Sequence, residues 1–343
     1  MALTASLSTM LRVAPLALGG APLGNLFRPL TNRTAIDVVQ HAHESGIRYF
    51  DTAPHYGQGL SEGRFGTALS DRPRESFVLS TKVGRLLHPD ANAASAQHGY
   101  EEVLPFVQSY DYTRTGVLRS LADSKRRLGL ATIDIVYVHD LDRATHGNAF
   151  DTRFRDMVES GLPALAELKA AGAIGGYGIG VNGVAICMET LRHADLDVVL
   201  LAGRYTLADQ SALHQLLPEC MKRDVTVVLG GPFNSGILAS GAHPEDGTQP
   251  LYDYAPAPEA IVRRVAAIER VGRLHGVPLK AAALQFALAH PAIATVLAGC
   301  RSVAELKENI DMARISIPRA YWMDLREQGL IDGCAPLPRE ACT

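Results

Sequence analysis

A single-domain (β/α)8 barrel of the α/β class is the fold this sequence predicts, on three observations. Eight short apolar runs recur along the chain, helix-like segments separate them, and the one glycine-rich turn near the start does not open a helix. The runs lie at 15–19, 48–51, 77–81, 133–139, 176–180, 198–202, 226–230 and 294–298. Each is near-continuously apolar over the length of a strand, as parallel strands covered on both faces require. A doubly wound sheet is the alternative, but it usually shows a G-x-G-x-x-G turn after its first strand. Here the turn is Leu18-Gly19-Gly20-Ala21-Pro22-Leu23-Gly24, and Pro22 and the polar, proline-containing stretch after it argue against a helix.

The helices carry their own punctuation. Residues 34–45 follow a Thr31/Asn32 cap region and stop before Gly46. Residues 115–128 end at Gly129 and 162–171 end at Gly172, both glycine stops. Residues 257–275 halt at Gly276-Val277-Pro278, and 281–289 halt before Pro291. No repeat, linker or low-complexity tract divides the chain, so one barrel domain over 1–343 is expected. The segment 86–112 breaks the alternation. It follows the third strand, carries Tyr100, Phe106, Tyr110 and Tyr112, and is expected to be a long loop over the C-terminal mouth.

Composition narrows the function. Hydrophobic residues are 47% and charged residues 20% of the 343, which suffices for a core without suggesting disorder. The formal net charge is −3 and no Lys/Arg stripe or tail occurs, which argues against a nucleic-acid partner or an anionic-membrane patch. Cys187, Cys220, Cys300, Cys334 and Cys342 are odd in number and scattered, with no C-x-x-C. That pattern speaks against a disulfide framework and a metal site, and suits a reducing cytoplasm. The N-terminal stretch has no basic region before its apolar residues, so a signal peptide is not expected, and no run approaches the ~20 apolar residues of a membrane span. A soluble monomer or weak homo-oligomer acting on a small molecule is expected.

In a (β/α)8 barrel the ends of the strands at the C-terminal face carry the chemistry. Asp51 ends the second run, Tyr56 lies five residues on, Lys82 ends the third and His139 ends the fourth. Singly, each has an ordinary explanation: a turn former, a loop tyrosine, a solvated ammonium, a rim histidine. Together they form acid–base equipment. A phenol with a pKa of ~10 is a poor acid or base at neutral pH. An ammonium beside it favours phenolate, a carboxylate orients that ammonium, and a histidine can hold the reacting oxygen. Such a set fits carbonyl/alcohol interconversion, in which a cofactor carries hydride and the protein handles the proton.

With these residues in place, FDTAPHYGQGLSE (50–62), STKVG (80–84) and VYVHD (136–140) resemble the three catalytic segments of the aldo-keto reductases in order, spacing and flanks. The resemblance implies Tyr56 as general acid/base, Lys82 and Asp51 as the pair that lowers its pKa, and His139 as orienter and proton partner. It also implies a nicotinamide site. GIGVNG (178–183) resembles the segment whose Ser-Asn pair holds the carboxamide; Asn182 is kept and Val181 replaces the serine. The glutamine expected near Ala202 is missing, and Gly230-Gly231 stands where a stacking aromatic is common. GGPFNSGIL (230–238) is similar to the pyrophosphate loop, implying contacts from Gly230, Gly231, Phe233, Ser235 and Gly236. AGCRSVAELKEN (298–309) resembles the adenosine segment, with Arg301 and Ser302 near the ribose and Glu308 and Asn309 near adenine. Family members that prefer NADP place a base four residues before that asparagine. Here the position is Glu305, which favours NAD, with NADP possible through Arg301.

LAGRYTLADQ (201–210), HGVPLKAAALQFALAHP (275–291) and the stretch 137–147 resemble one branch of the family. That branch holds the D-threo-aldose 1-dehydrogenases (L-fucose dehydrogenases), plant L-galactose dehydrogenase and pyridoxal 4-dehydrogenase. It implies oxidation of an aldose at C1 to the lactone, with pyridoxal oxidation or general aldehyde/ketone reduction as alternatives. A non-catalytic, cofactor-holding regulatory barrel is a reading of a different class, though nothing here suggests a partner-binding extension. A glycoside hydrolase barrel would need two carboxylates facing each other across one bond. Asp140 and Asp142 follow His139 in one loop and do not oppose each other.

Overall fold

The computed structural model describes residues 7–12 and 14–338. Residues 1–6, most of the apolar N-terminal stretch's beginning, and Cys342 lie outside the described residues.

Eight parallel strands close into a barrel, with two small antiparallel hairpins on one end. In chain order the strands are β1 (Leu16–Gly19), β2 (Tyr49–Asp51), β3 (Val78–Val83), β4 (Arg85–Pro89), β5 (Phe106–Tyr110), β6 (Ile135–His139), β7 (Gly176–Val181), β8 (Val198–Ala202), β9 (Thr226–Gly230), β10 (Leu251–Tyr252), β11 (Ala255–Pro256) and β12 (Ile293–Gly299). The barrel order is β1-β12-β9-β8-β7-β6-β3-β2. All eight apolar runs are therefore barrel strands; those at 198–202 and 226–230 match at both ends, and no end of the others is displaced by more than two residues. β6 starts two residues late, and β3 continues two residues further, through Val83, which leaves Lys82 as its penultimate residue.

Helices close the outer layer where their caps predict. Thr31 Oγ1 accepts from Thr34 N at 3.1 Å and starts the helix Asn32–Glu44. Thr113 caps Arg114–Leu128, which stops at Gly129 in a left-handed conformation. Leu162–Ala170, Glu259–His275 and Leu279–Leu288 complete the expected set. Two hydrophobic layers result. Val38, Phe65, Val117, Leu165, Ile268 and Phe286 belong to the layer between helices and sheet. Ala17, Tyr49, Ile135, Tyr137, Val198 and Val228 fill the barrel interior, with Leu11 of the N-terminal helix Leu7–Leu11 joining them. No helix among the described residues is long and apolar enough to cross a membrane.

The segment 86–112 is not a structureless loop. β4 and β5 pair antiparallel from Arg85↔Tyr110 to Pro89↔Phe106, and the residues between them turn back over the mouth. Mixed polar residues in both arms hide the period-2 pattern that marks a half-buried hairpin. The hinge is Gly84, at φ +102°, where an added Cβ would lie 2.2 Å from the Tyr112 ring. Glycine alone fits there.

Candidate active site

The C-terminal strand ends gather the expected ionisable residues into one place. β2 delivers Asp51 and β3 delivers Lys82, and both side chains are 1% exposed. Lys82 Nζ donates to Asp51 Oδ2 at 2.6 Å and to the Thr52 carbonyl at 2.9 Å. Ser80 points inward two residues before Lys82 on the same strand face, and its Oγ donates to Asp51 Oδ1 at 2.6 Å. Behind it, Tyr49 OH lies 2.9 Å from Ser80 Oγ and 2.9 Å from Tyr137 OH, so a chain of buried hydroxyls ends on the carboxylate. Burial raises the pKa of Asp51 from its ordinary value, while Lys82 and Ser80 act in the opposite direction.

Tyr56 sits in the turn after β2, with the Lys82 ammonium 4.6 Å above its ring centroid. The resemblance implied that Lys82 and Asp51 together lower this phenol's pKa. The structure gives the opposite direction: burial pushes Tyr56 well above its ordinary value, and the Asp51 carboxylate adds to the shift. The physical reason is burial, which penalises the phenolate, with the Asp51 carboxylate and the Tyr100 ring next in weight; Lys82 meanwhile donates to Asp51 and Thr52. Tyr56 is thus the protonated, acid form at neutral pH.

β6 ends on His139, whose ring meets the Tyr56 ring edge-on at 5.9 Å between centroids. Its Nδ1 is buried with no hydrogen-bond partner among the described residues, and its Nε2 lies 3.4 Å from Asp140 Oδ2. That carboxylate is near enough to favour the tautomer with the ring proton on Nε2, but forms no hydrogen bond with it, so the Nε2–H stays free for a ligand. Burial, then Lys82, then Arg85 hold the His139 pKa well below its usual value, so the ring is neutral. Arg85, at the root of the hairpin, donates to Asp140 Oδ2 at 2.6 Å. Tyr112 OH donates to the His139 carbonyl at 2.8 Å and secures the strand end.

Tyr56, Lys82 and His139 border a cavity of about 1040 Å³ at the barrel mouth. The hairpin covers it: Tyr100 stacks on Tyr56 at 6.1 Å and packs edge-on against His55 at 5.3 Å. His55 also faces His139 at 5.8 Å. Of the expected tetrad, Asp51 does not border the cavity and reaches it only through Lys82.

Sequence reasoning missed Ser80, His55, Arg85 and Tyr254 as parts of this site. Ser80 and His55 stand inside the quoted motifs, two residues from Lys82 and one from Tyr56, so strand alternation and adjacency were available signals. Tyr254, between β10 and β11, borders the cavity from far along the chain and left no local signal.

The expected cofactor residues occupy the loops after β7, β9 and β12. Asn182 borders the cavity, and its carbonyl accepts from Arg204 Nε at 2.7 Å. β9 and β12 are barrel neighbours, so the loops that follow them open side by side. After β9, Gly231, Asn234, Ser235 and Gly236 all have positive φ. Such a turn presents backbone N–H groups to an anion, and Gly236 has open space where a Cβ would stand. After β12, Ser302 caps the ten-residue helix Val303–Met312, whose positive end suits a phosphate or ribose. These two features fit a dinucleotide.

Several expected contacts are nevertheless engaged within the protein. Ser235 Oγ accepts from Tyr254 N at 2.9 Å, and Phe233 packs on the core. Arg301 donates to the carbonyls of Leu26 at 2.8 Å and Arg28 at 2.6 Å, while Glu305 accepts from Arg301 N at 2.8 Å. Glu308 pairs with Lys280 at 2.6 Å, and Asn309 is buried one turn beyond Glu305. Gly230 ends β9 as expected.

Comparison with known proteins places the sequence and the fold in one family. The model of the aldo/keto reductase family matches residues 15–327. The chain is 42% identical to pyridoxal 4-dehydrogenase of Microbacterium luteolum, covering 94% of this chain and 96% of that protein. It is 38% identical to D-threo-aldose 1-dehydrogenase of a Pseudomonas species, covering 94% and 95%. Among solved structures, the holo form of an aldo-keto reductase from Bacillus halodurans superposes with a TM-score of 0.70 at 25% identity, covering 95% of this chain and 94% of that one.

Proposed function

Since the chain belongs to the aldo/keto reductase family and is an oxidoreductase, we propose that it oxidises an aldose of the L-fucose, D-arabinose or L-galactose type at C1 to the lactone. NAD is the preferred cofactor in this reading, with NADP usable. The observation that carries it is the convergence of Tyr56, Lys82 and a neutral His139 on one cavity roofed by aromatic rings. The 38% identical aldose dehydrogenase supports the substrate class.

A bound nicotinamide supplies or accepts the hydride, and the protein's share is the proton and the pose. His139 Nε2–H holds the reacting oxygen. In the oxidative direction Tyr56 takes the hydroxyl proton as the phenolate, having first lost its own proton to solvent; in the reverse direction the protonated phenol gives its proton to the carbonyl oxygen. Asp51 holds the Lys82 ammonium at the face of the Tyr56 ring. Because burial keeps the phenol protonated, the oxidative direction gains as pH rises and the reductive direction is ready at neutral pH. Tyr100 stacked on Tyr56 offers a flat wall for the apolar face of a sugar.

A second reading is favoured by the 42% identity to pyridoxal 4-dehydrogenase. The two substrates share their chemistry: pyridoxal, like an aldose, closes on its own hydroxyl to a cyclic hemiacetal, and loss of hydride and proton from either gives a lactone. The test is a panel of L-fucose, D-arabinose, L-galactose and pyridoxal, each with NAD⁺ and NADP⁺, followed by absorbance of the reduced nicotinamide. Turnover of an aldose with NAD⁺ at a kcat/KM above that for pyridoxal is expected. Turnover of pyridoxal alone selects the second reading.

A further inference from the structure

Five carboxylates border the cavity, and four of them are committed elsewhere. Asp142 Oδ1 accepts from Thr145 N at 2.7 Å and caps a short helix. Asp151 pairs with Arg143 at 2.7 Å, Glu189 pairs with Arg192, and Asp253 pairs with Arg204 at 2.7 Å. The fifth, Asp140, is different. It follows His139 directly, and one oxygen, Oδ2, takes both its close contacts: Arg85 at 2.6 Å and His139 Nε2 at 3.4 Å. Its side chain is 24% exposed at the cavity wall. Its backbone is left-handed at φ +46°, while its N–H still bonds to the Gly180 carbonyl at 3.0 Å. A non-glycine residue held there beside a reactive group is a common mark of a functional position.

We propose that Asp140 is a specificity-determining residue that accepts a hydrogen bond from the hydroxyl on the carbon next to the reacting carbon, the 2-hydroxyl of an aldose. This inference rests on the aldose reading above. If His139 Nε2 holds the oxygen on C1, the nearest group Asp140 can meet is on a neighbouring atom. In a cyclic aldose those neighbours are the ring oxygen, which cannot donate, and the 2-hydroxyl, which can. A carboxylate accepts and does not donate, so it selects the hydroxyl. Arg85 supplies the counter-charge from behind, which leaves the other oxygen, Oδ1, for the substrate. Arg204, which also borders the cavity, is tied to Asp209, Asp253 and the Asn182 carbonyl. A site built to bond a hydroxyl discriminates strongly against the analogue that lacks it.

The experiment compares D-arabinose with 2-deoxy-D-ribose, which differs from it only by loss of the 2-hydroxyl, in the wild type and in Asp140→Asn. The wild type is expected to favour D-arabinose in kcat/KM by about tenfold or more, and Asp140→Asn to shrink that ratio to about twofold or less. An Asp140→Asn enzyme that loses activity on both sugars by the same factor, keeping the ratio, overturns the inference and leaves the aldose reading intact. So does a wild type that turns over both sugars equally. A wild type that oxidises neither sugar, nor L-fucose or L-galactose, overturns the aldose reading itself, and the inference falls with it; one that oxidises L-fucose alone is compared in the same way on L-fucose and 2-deoxy-L-fucose.

Discussion

Lys82 Nζ and Asp51 Oδ2 stand 2.6 Å apart with both side chains 1% exposed, so the charge pair beneath Tyr56 is effectively dry. Removing one partner of such a pair leaves an uncompensated buried charge, which costs about 3–5 kcal/mol. Lys82→Met is therefore expected to lower the denaturation midpoint sharply. Adding Asp51→Asn to Lys82→Met should recover part of that loss, although activity stays low. A Lys82→Met protein as stable as the wild type would show that the pair carries no such energy.

His139 owes its neutral state to burial first and to Lys82 and Arg85 next. Its pKa is held well below 6.5, so a function that needs the neutral ring survives as pH falls through that value. Asp140, Arg85, Lys82, Tyr56 and His55 face it. Arg85→Met removes a cation and leaves the Asp140 carboxylate unbalanced beside Nε2, which raises the His139 pKa. The acid limb of the pH–rate profile should move up towards neutrality, and Arg85→Lys should return it. An unmoved acid limb in Arg85→Met means that Arg85 only braces the hairpin.

Cofactor choice turns on the helix start after β12. Glu305 caps the turn through Arg301 N, and Arg301 spends its guanidinium on loop carbonyls, so neither offers a free cation to a 2′-phosphate. NAD should be preferred. Glu305→Arg should shift the NADP/NAD ratio of kcat/KM towards NADP by about tenfold, or 1.4 kcal/mol. If the wild type prefers NADP and Arg301→Ala abolishes the preference, Arg301 is the phosphate site.

The hairpin over the mouth is expected to serve the substrate. Tyr100 packs on Tyr56 and His55, and none of its ring contacts involves the loops after β9 or β12. Tyr100→Ala should raise KM for the sugar several-fold more than KM for the cofactor. Equal changes would assign the hairpin to cofactor binding or folding.

How much of this was legible depended on range. The barrel was readable because each strand is a short apolar run bounded by helix caps, and Thr31, Gly129 and Gly276 act locally. The tetrad was readable because strand ends in a parallel barrel converge on one face, which put Asp51, Lys82 and His139 together once the strands were placed. The hairpin was not, since its pairing is set by antiparallel register rather than by apolar alternation. Nor was the direction of the Tyr56 shift. It depends on how completely the phenol is buried and on how close the Asp51 carboxylate stands, which only the folded chain sets. Arg85 and Asp140 are 55 residues apart, and no spacing rule relates them.

The account rests most heavily on Tyr56 as the group that moves the proton, and one comparison tests it directly. Tyr56→Phe and the wild type are titrated with NAD⁺ by quenching of protein fluorescence, then assayed for aldose oxidation under saturating cofactor. The account predicts a cofactor Kd close to that of the wild type and a kcat lower by about 10²–10⁴-fold, the usual weight of general acid–base catalysis. A kcat within a few-fold of wild type, with cofactor bound, would contradict it.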